Sequence, residues 1–325
     1  MQVNPVLNRL GFARSDRVVI FHADDIGMCQ ASLAAYAEVV AFGLVSSAAT
    51  MVPCPWFPAM ATYCREQPNG HVDMGVHLTL TSEWEHFRWR PLATHELASG
   101  LLDDDGYLHR LAAPVQAGGD PSAVLREMVY QMERARAAGI DVTHVDSHMF
   151  TLFHPRLLPA YFSLAFRYQV PATMVRGNAQ FQRLGSFDHE AVEALARLVR
   201  AAEAAGMPLL DDIYVMPLSP LADRLAFATE VLQSLRPGIT CFVIHPAHDT
   251  PELRAMTPDW QARVGDFELF TSEAWAQAIR RSGVHVIGFR PLRKLMRATK
   301  AVPIKHKKAD DVNHEQIFPG RRHWQ

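Results

Sequence analysis

No lysine occurs before Lys294 in this 325-residue chain, and no two of its four cysteines (Cys29, Cys54, Cys64, Cys241) form a Cys-x-x-Cys pair. The cysteines are too few and too scattered for a disulfide framework and read as reduced thiols in a cytoplasmic protein. Long apolar runs are missing as well. None approaches the ~20 residues that span a bilayer, so no membrane partner is expected. Nor is there a basic surplus: 32 Lys and Arg stand against 34 Asp and Glu, for a net charge of -2. That balance argues against a nucleic-acid partner. Residues 1–16 lack a cationic start followed by an apolar stretch, so no secretion signal is expected there.

Hydrophobic residues make up 49% of the chain and charged residues 20%, a composition that can bury a large core. Short apolar runs predict strands at 18–21, 45–52, 72–80, 142–146, 172–175, 209–216, 239–244 and 284–289. Between them, helical spacing predicts helices at 31–42, 56–65, 121–138, 157–168, 190–205, 221–235 and 272–281. Gly43 and Gly139 are natural stops and Pro121 a natural start. Seven or eight strands alternating with helices predict an α/β fold with a mostly parallel sheet, closed or nearly closed into a barrel. Residues 1–298 read as one domain. The polar stretch at about 81–119 is too long for a connection and reads as an excursion covering the site. Residues 299–325 read as a basic peripheral tail.

Polar residues gather where strands are expected to end. Asp24 and Asp25 follow one strand, and His77 lies late in another. Asp146 and His148 close a third, Arg176 a fourth and His245 a fifth. In a parallel barrel every carboxyl end faces the same side, so residues more than two hundred positions apart converge. Imidazoles and carboxylates suit a divalent cation such as Zn²⁺ with an open position for water. A neighbouring carboxylate can then take the water's proton, and a histidine can return one to a leaving amine. Adjacent aspartates point to opposite faces of a regular strand. A turn at the strand end, with Gly27 two residues on, would let one ligate while the other acts as base. Taken singly, each motif has a plainer reading: Asp-Asp as a turn, His77 as a core histidine, Asp146-Ser147-His148 as a helix cap. Arg176 holds an ion pair or contacts substrate. Trp84, with Trp89 and His86, stacks on a sugar face or pins the excursion down. We assign both Arg176 and Trp84 to substrate, and Asp146 to orienting a ligand histidine from behind.

His22-Ala23-Asp24-Asp25-Ile26-Gly27 resembles the opening motif of the YdjC-like carbohydrate deacetylases. Gly75-Val76-His77-Leu78-Thr79-Leu80, Val145-Asp146-Ser147-His148-Met149 and His245-Pro246 resemble later motifs of that family in the same order, as does the stretch 263–269. The likeness runs from about residue 17 to about 292. It implies a distorted, TIM-like β/α barrel that removes acetyl groups from N-acetylated sugars, such as chito-oligosaccharides, using one divalent metal. Carried over by motif, Asp25, His77 and His148 would be ligands, Asp24 the base and His245 the acid. The family has been linked with Zn²⁺ and Mg²⁺, and two imidazoles favour Zn²⁺. This chain departs from the pattern at His22, where Asn is frequent, and at Ala247, where Gly is usual. It departs again at Phe150 and Leu152, where many relatives carry histidines.

Two other readings stand beside this one. A metal-dependent sugar isomerase or epimerase would need more carboxylate ligands or a lysine base, and no lysine precedes Lys294. A non-catalytic sugar-binding protein on the same fold would not need the full set of acids and imidazoles. The sequence leaves a homodimer open.

Overall fold

The computed structural model describes residues 4–68, 70–177 and 188–299. The tail expected from residue 299 lies, beyond Thr299, outside them. Seven strands form the sheet: β1 Arg17–Ile26, β2 Ser47–Thr50, β3 Met74–Leu78, β4 Val145–Ser147, β5 Asp212–Val215, β6 Gly238–Ile244 and β7 His285–Val286. The described helices before β5 are α1 Pro5–Arg9, α2 Gln30–Phe42, α3 Phe57–Glu66, α4 Ala112–Gly118, α5 Pro121–Ala137, α6 Leu158–Tyr168 and α7 His189–Ala204. Those after it are α8 Arg224–Ser234, α9 Pro251–Met256, α10 Trp260–Phe270, α11 Glu273–Ser282 and α12 Arg290–Ala298. None is long and apolar enough to cross a membrane.

All strand pairs are parallel, in the order β4-β3-β2-β1-β6-β5. β1 and β6 are almost wholly buried, as strands covered on both faces must be, and this explains their near-continuous apolar runs. Phe21 of β1 and Phe242 of β6 meet Phe270 and Trp275 edge-on or tilted behind the sheet, at centroid distances of 5.5 to 6.4 Å. This aromatic cluster seats α10 and α11 against the strands that carry much of the site.

The sheet curls, and an extended segment joins its two edges. Val145 of β4 bridges Ala172, while Val175 bridges Leu210 just ahead of β5, both in parallel. Residues expected to form a full strand at 172–175 thus make a seam of two isolated bridges. The expected last strand at 284–289 shrinks to β7 for a related reason. It shares one edge of β1 with β2, pairing only the lower half (Val18 with His285), while β2 takes the upper half (His22 with Ser47). The helices α1, α4, α9, α10 and α12 are not among the predicted elements.

The excursion at 81–119 is anchored rather than loose. Buried Glu127 of α5 accepts the backbone N–H groups of Leu92 at 3.0 Å and Ala93 at 2.7 Å. Gln131, one turn on, exchanges hydrogen bonds with both backbone groups of Thr79. Trp89 donates its indole N–H to the carbonyl of Thr81 at 2.8 Å.

Candidate metal centre and active site

On β1, His22 and Asp24 are two residues apart and share the inner face. Asp25 should point the other way. The register with β2 slips between Ala23 and Ile26, and Asp25 takes φ +60°, which swings its carboxylate inward beside its neighbour. A left-handed aspartate costs on the order of 1 kcal/mol and persists only where surrounding contacts hold it. Gly27, at φ +84°, then carries the chain away; a Cβ there would stand 3.1 Å from Thr50 Oγ1.

His77 of β3 pairs in register with Asp146 of β4. His148 follows β4 directly, and both Met149 and Phe150 adopt φ +51°. This tight reversal is pinned by Thr151, whose hydroxyl donates to the His148 carbonyl at 2.9 Å, and by Leu152, whose N–H reaches Ser147 Oγ at 3.0 Å. His245 leaves the end of β6 with its backbone N–H on Asp266 Oδ2 at 2.8 Å. α10 brings Arg263 and Asp266 inward on one face, with Asp259 ahead of its first turn.

Three donor atoms converge. Asp25 Oδ1 lies 3.3 Å from His77 Nε2 and 3.2 Å from His148 Nδ1, and those two nitrogens are 3.2 Å apart. Asp25 Oδ1 is buried there with no well-aligned hydrogen bond. A tetrahedral zinc ion about 2.1 Å from each ligand separates ligand atoms by about 3.4 Å, so this near-equilateral triangle fits one. Each of the three is also held from behind. Asp25 Oδ2 accepts from Arg263 Nη1 at 2.8 Å, and Arg263 is itself gripped by Asp259 at 2.8 and 3.1 Å. His77 Nδ1 meets Asp146 Oδ1 at 2.6 Å, and His148 Nε2 meets Glu83 Oε2 at 2.9 Å. Such partners fix ring orientation and tautomer, leaving His77 Nε2 and His148 Nδ1 to face Asp25 Oδ1.

The charges follow from these contacts. Burial alone would raise Asp25, but Arg263 and His148 hold its carboxyl well below the usual range. Burial would also raise Asp146, and His77 beside it again wins, keeping it well below. Burial would depress His148, yet Glu83 and Asp25 push it up to about 9. His77 moves well upward against its burial, drawn by Asp146 and Asp24. His245 moves the other way: burial keeps it below the usual imidazole range, and its Nδ1 has no partner among the described residues.

A cavity of about 230 Å³ opens onto the triangle, and Asp24, Asp25, His77, His148, His245 and Trp84 are among its lining residues. Its far side is apolar, formed by Phe150, Val215 and Leu218. Trp84 is buried, 5.5 Å edge-on to Trp89 and 5.5 Å beneath the Arg263 guanidinium. Asp146 lies behind His77. Arg176 is not brought to the cavity; it pairs with Glu203 and with Asp211 at 3.6 Å. Three contributors went unassigned at the sequence level. Glu83 carries no motif signal. Arg263 gains meaning only through Asp25, which is 238 residues away. His22 stood in the opening motif, but its partners Asp24 and Asp146 show only in the fold.

A curled parallel β/α barrel bearing a supported His-His-Asp triangle at its carboxyl ends is the class of protein these features define: a barrel with a buried site that could hold a metal ion. Within that class, the chain belongs to the YdjC-like protein family, whose sequence profile matches residues 18–281. A carbohydrate deacetylase of Thermus thermophilus is 32% identical over 262 residues, spanning 81% of this chain and 89% of its own length. One from Geobacillus stearothermophilus is 26% identical, spanning 86% and 99%. The crystal structure of a protein from Enterococcus faecalis V583, with a proposed role in cellobiose-phosphate cleavage, superposes with a TM-score of 0.69. At 20% identity, and with coverage of 86% and 99%, that likeness concerns the fold.

Proposed function

We propose that this protein is a metal-dependent carbohydrate N-deacetylase that hydrolyses the acetamide of an N-acetylated sugar to acetate and an amino sugar. The observation that carries the reading is the triangle of Asp25, His77 and His148, whose carboxylate corner makes no aligned hydrogen bond and whose three members each have a partner behind them. The names of the similar proteins support the substrate class. A divalent cation held by those three residues supplies water activation and polarises the acetamide carbonyl. Zn²⁺ is the favoured ion because two of the three ligands are imidazoles, with Mg²⁺ the alternative.

The remaining roles fall to side chains around the cavity. Asp24 sits beside the triangle with Oδ1 held by His22 at 2.9 Å, which leaves Oδ2 to accept a proton from the attacking water. His245, which lines the cavity, protonates the departing nitrogen as the C–N bond breaks. Because burial keeps His245 below the usual imidazole range, it must take up a proton before it can serve as the acid. Trp84 offers a flat wall to the sugar ring. Residues 1–298 act as one catalytic domain in this reading.

The test is a screen of N-acetylated mono-, di- and oligosaccharides for acetate release by stripped protein, with Zn²⁺ or Mg²⁺ added back. Release that depends on the added metal is the expected result. Isomerised sugar without acetate would replace this reading with an isomerase, and binding without turnover would replace it with a sugar-binding protein.

A further inference from the structure

His22 is almost fully buried, on the inner face of β1; its Nε2 is hydrogen-bonded to Asp146 Oδ2 at 2.7 Å and also lies 2.9 Å from Asp24 Oδ1, a buried oxygen with no aligned hydrogen bond among the described residues. Asp146 uses its other oxygen on His77 Nδ1. A single N–H therefore stands between the residue assigned as base and the residue that orients a metal ligand. The ring is wedged edge-on against His144, centroids 4.9 Å apart, and against Phe289 at 5.8 Å. His144 in turn stacks on Phe289 at 3.9 Å. The imidazole can neither swing away nor exchange these partners for water, and its Nδ1 has no partner among the described residues.

We infer that His22 is a positioning residue for the deacetylation reaction, holding Asp24 in its reactive rotamer. This rests on the function proposed above. Asp24 lies at a strand end beside a register slip, and two anionic neighbours, Asp25 and Asp146, would drive its carboxylate outward. The His22 Nε2–H, 2.9 Å from Oδ1, offsets that repulsion and leaves Oδ2 to face the cavity. Misplacing a catalytic group by about 1 Å can cost on the order of 100-fold in rate. His22 touches neither the ligand triangle nor the cavity, so its loss should leave metal content and substrate affinity in place.

The experiment has two arms. In the first, His22→Ala, His22→Asn and His22→Gln are purified and assayed for metal content, kcat and KM. The expected result is one metal equivalent throughout, KM within about twofold, kcat down about 10- to 100-fold in His22→Ala, and partial recovery in whichever amide variant can still donate to Asp24. Where His22→Ala fails to fold, the amide variants decide. Unchanged kcat in every folded variant would overturn the inference. So would a loss of metal that parallels the loss of kcat, or a second metal equivalent that disappears with His22. The second arm is independent of turnover. Imidazole proton–nitrogen NMR of the metal-free protein should show a slowly exchanging His22 Nε2–H whose resonance moves in Asp24→Asn. An unprotonated Nε2, or no response to Asp24→Asn, would overturn the positioning role. Absence of acetate release by the wild-type protein, with this signature intact, would instead count against the deacetylase reading.

Discussion

Metal affinity should depend steeply on pH, and the triangle sets the slope. A cation needs neutral imidazoles at His77 Nε2 and His148 Nδ1. In the metal-free protein, Glu83 and Asp25 raise His148 to about 9 against its burial, and His77 is raised as well. At pH 7 a group with that pKa is ~99% protonated, so binding must expel its proton. The sign follows: affinity rises with pH until the folded pKa is passed. One expelled proton gives about tenfold tighter apparent binding per pH unit, hence about 100-fold between pH 6 and 8; two expelled protons give about 10,000-fold. Competition titrations against a chromophoric zinc chelator at pH 6, 7 and 8 measure the slope. Calorimetry in buffers of different ionisation enthalpy counts the protons. Affinity that changes less than threefold over this range, with no proton release, would refute the reasoning and the ligand assignment with it.

The same shifts make the metal-free fold less stable as pH rises. The protons on His22 and His148, both raised from 6.5 to about 9, stabilise fully below 6.5 and lose that contribution between 6.5 and 9, visible as a falling Tm of stripped protein. Asp24→Asn should lower kcat by about 100- to 10,000-fold with metal content unchanged, whereas His77→Ala or His148→Ala should lose the metal itself; elemental analysis beside the acetate assay separates the two. Arg263→Met leaves Asp25 and Asp259 without their buried cation and should destabilise stripped protein by about 3–5 kcal/mol, with part of the loss restored by Zn²⁺. Gly75→Ala places a Cβ 2.5 Å from the His144 ring. It should cost about 1–3 kcal/mol in denaturant titrations, as overpacking of a filled core does.

Much of this arrangement was legible in the chain because a parallel barrel has a simple rule: polar residues ending apolar runs meet. Asp24, Asp25, His77, His148 and His245 all follow it, and all line one cavity. Contacts made across the barrel carry no such signature. Glu83 sits in a polar excursion where any acidic residue looks solvated, and its link to His148 exists only because Glu127 and Gln131 seat that excursion. Arg176, at a strand end by the same rule, instead satisfies Glu203 and Asp211; position alone does not separate a ligand from an ion pair. Strand lengths failed at 172–175 and 284–289, where the apolar run is real but the neighbouring strand offers only a few free backbone groups.

The seam at residues 172–175 lies between β4 and the approach to β5, outside the run of pairings that joins β1, β2, β3 and β4. Asp25 on β1, His77 on β3 and His148 directly after β4 sit on one unbroken run of pairings, whereas single bridges close the ring between β4 and β5. Widening the barrel there would not draw Asp25, His77 and His148 apart. A scaffold built this way can be reshaped by remodelling one flank while the triangle of Asp25, His77 and His148 keeps the same dimensions.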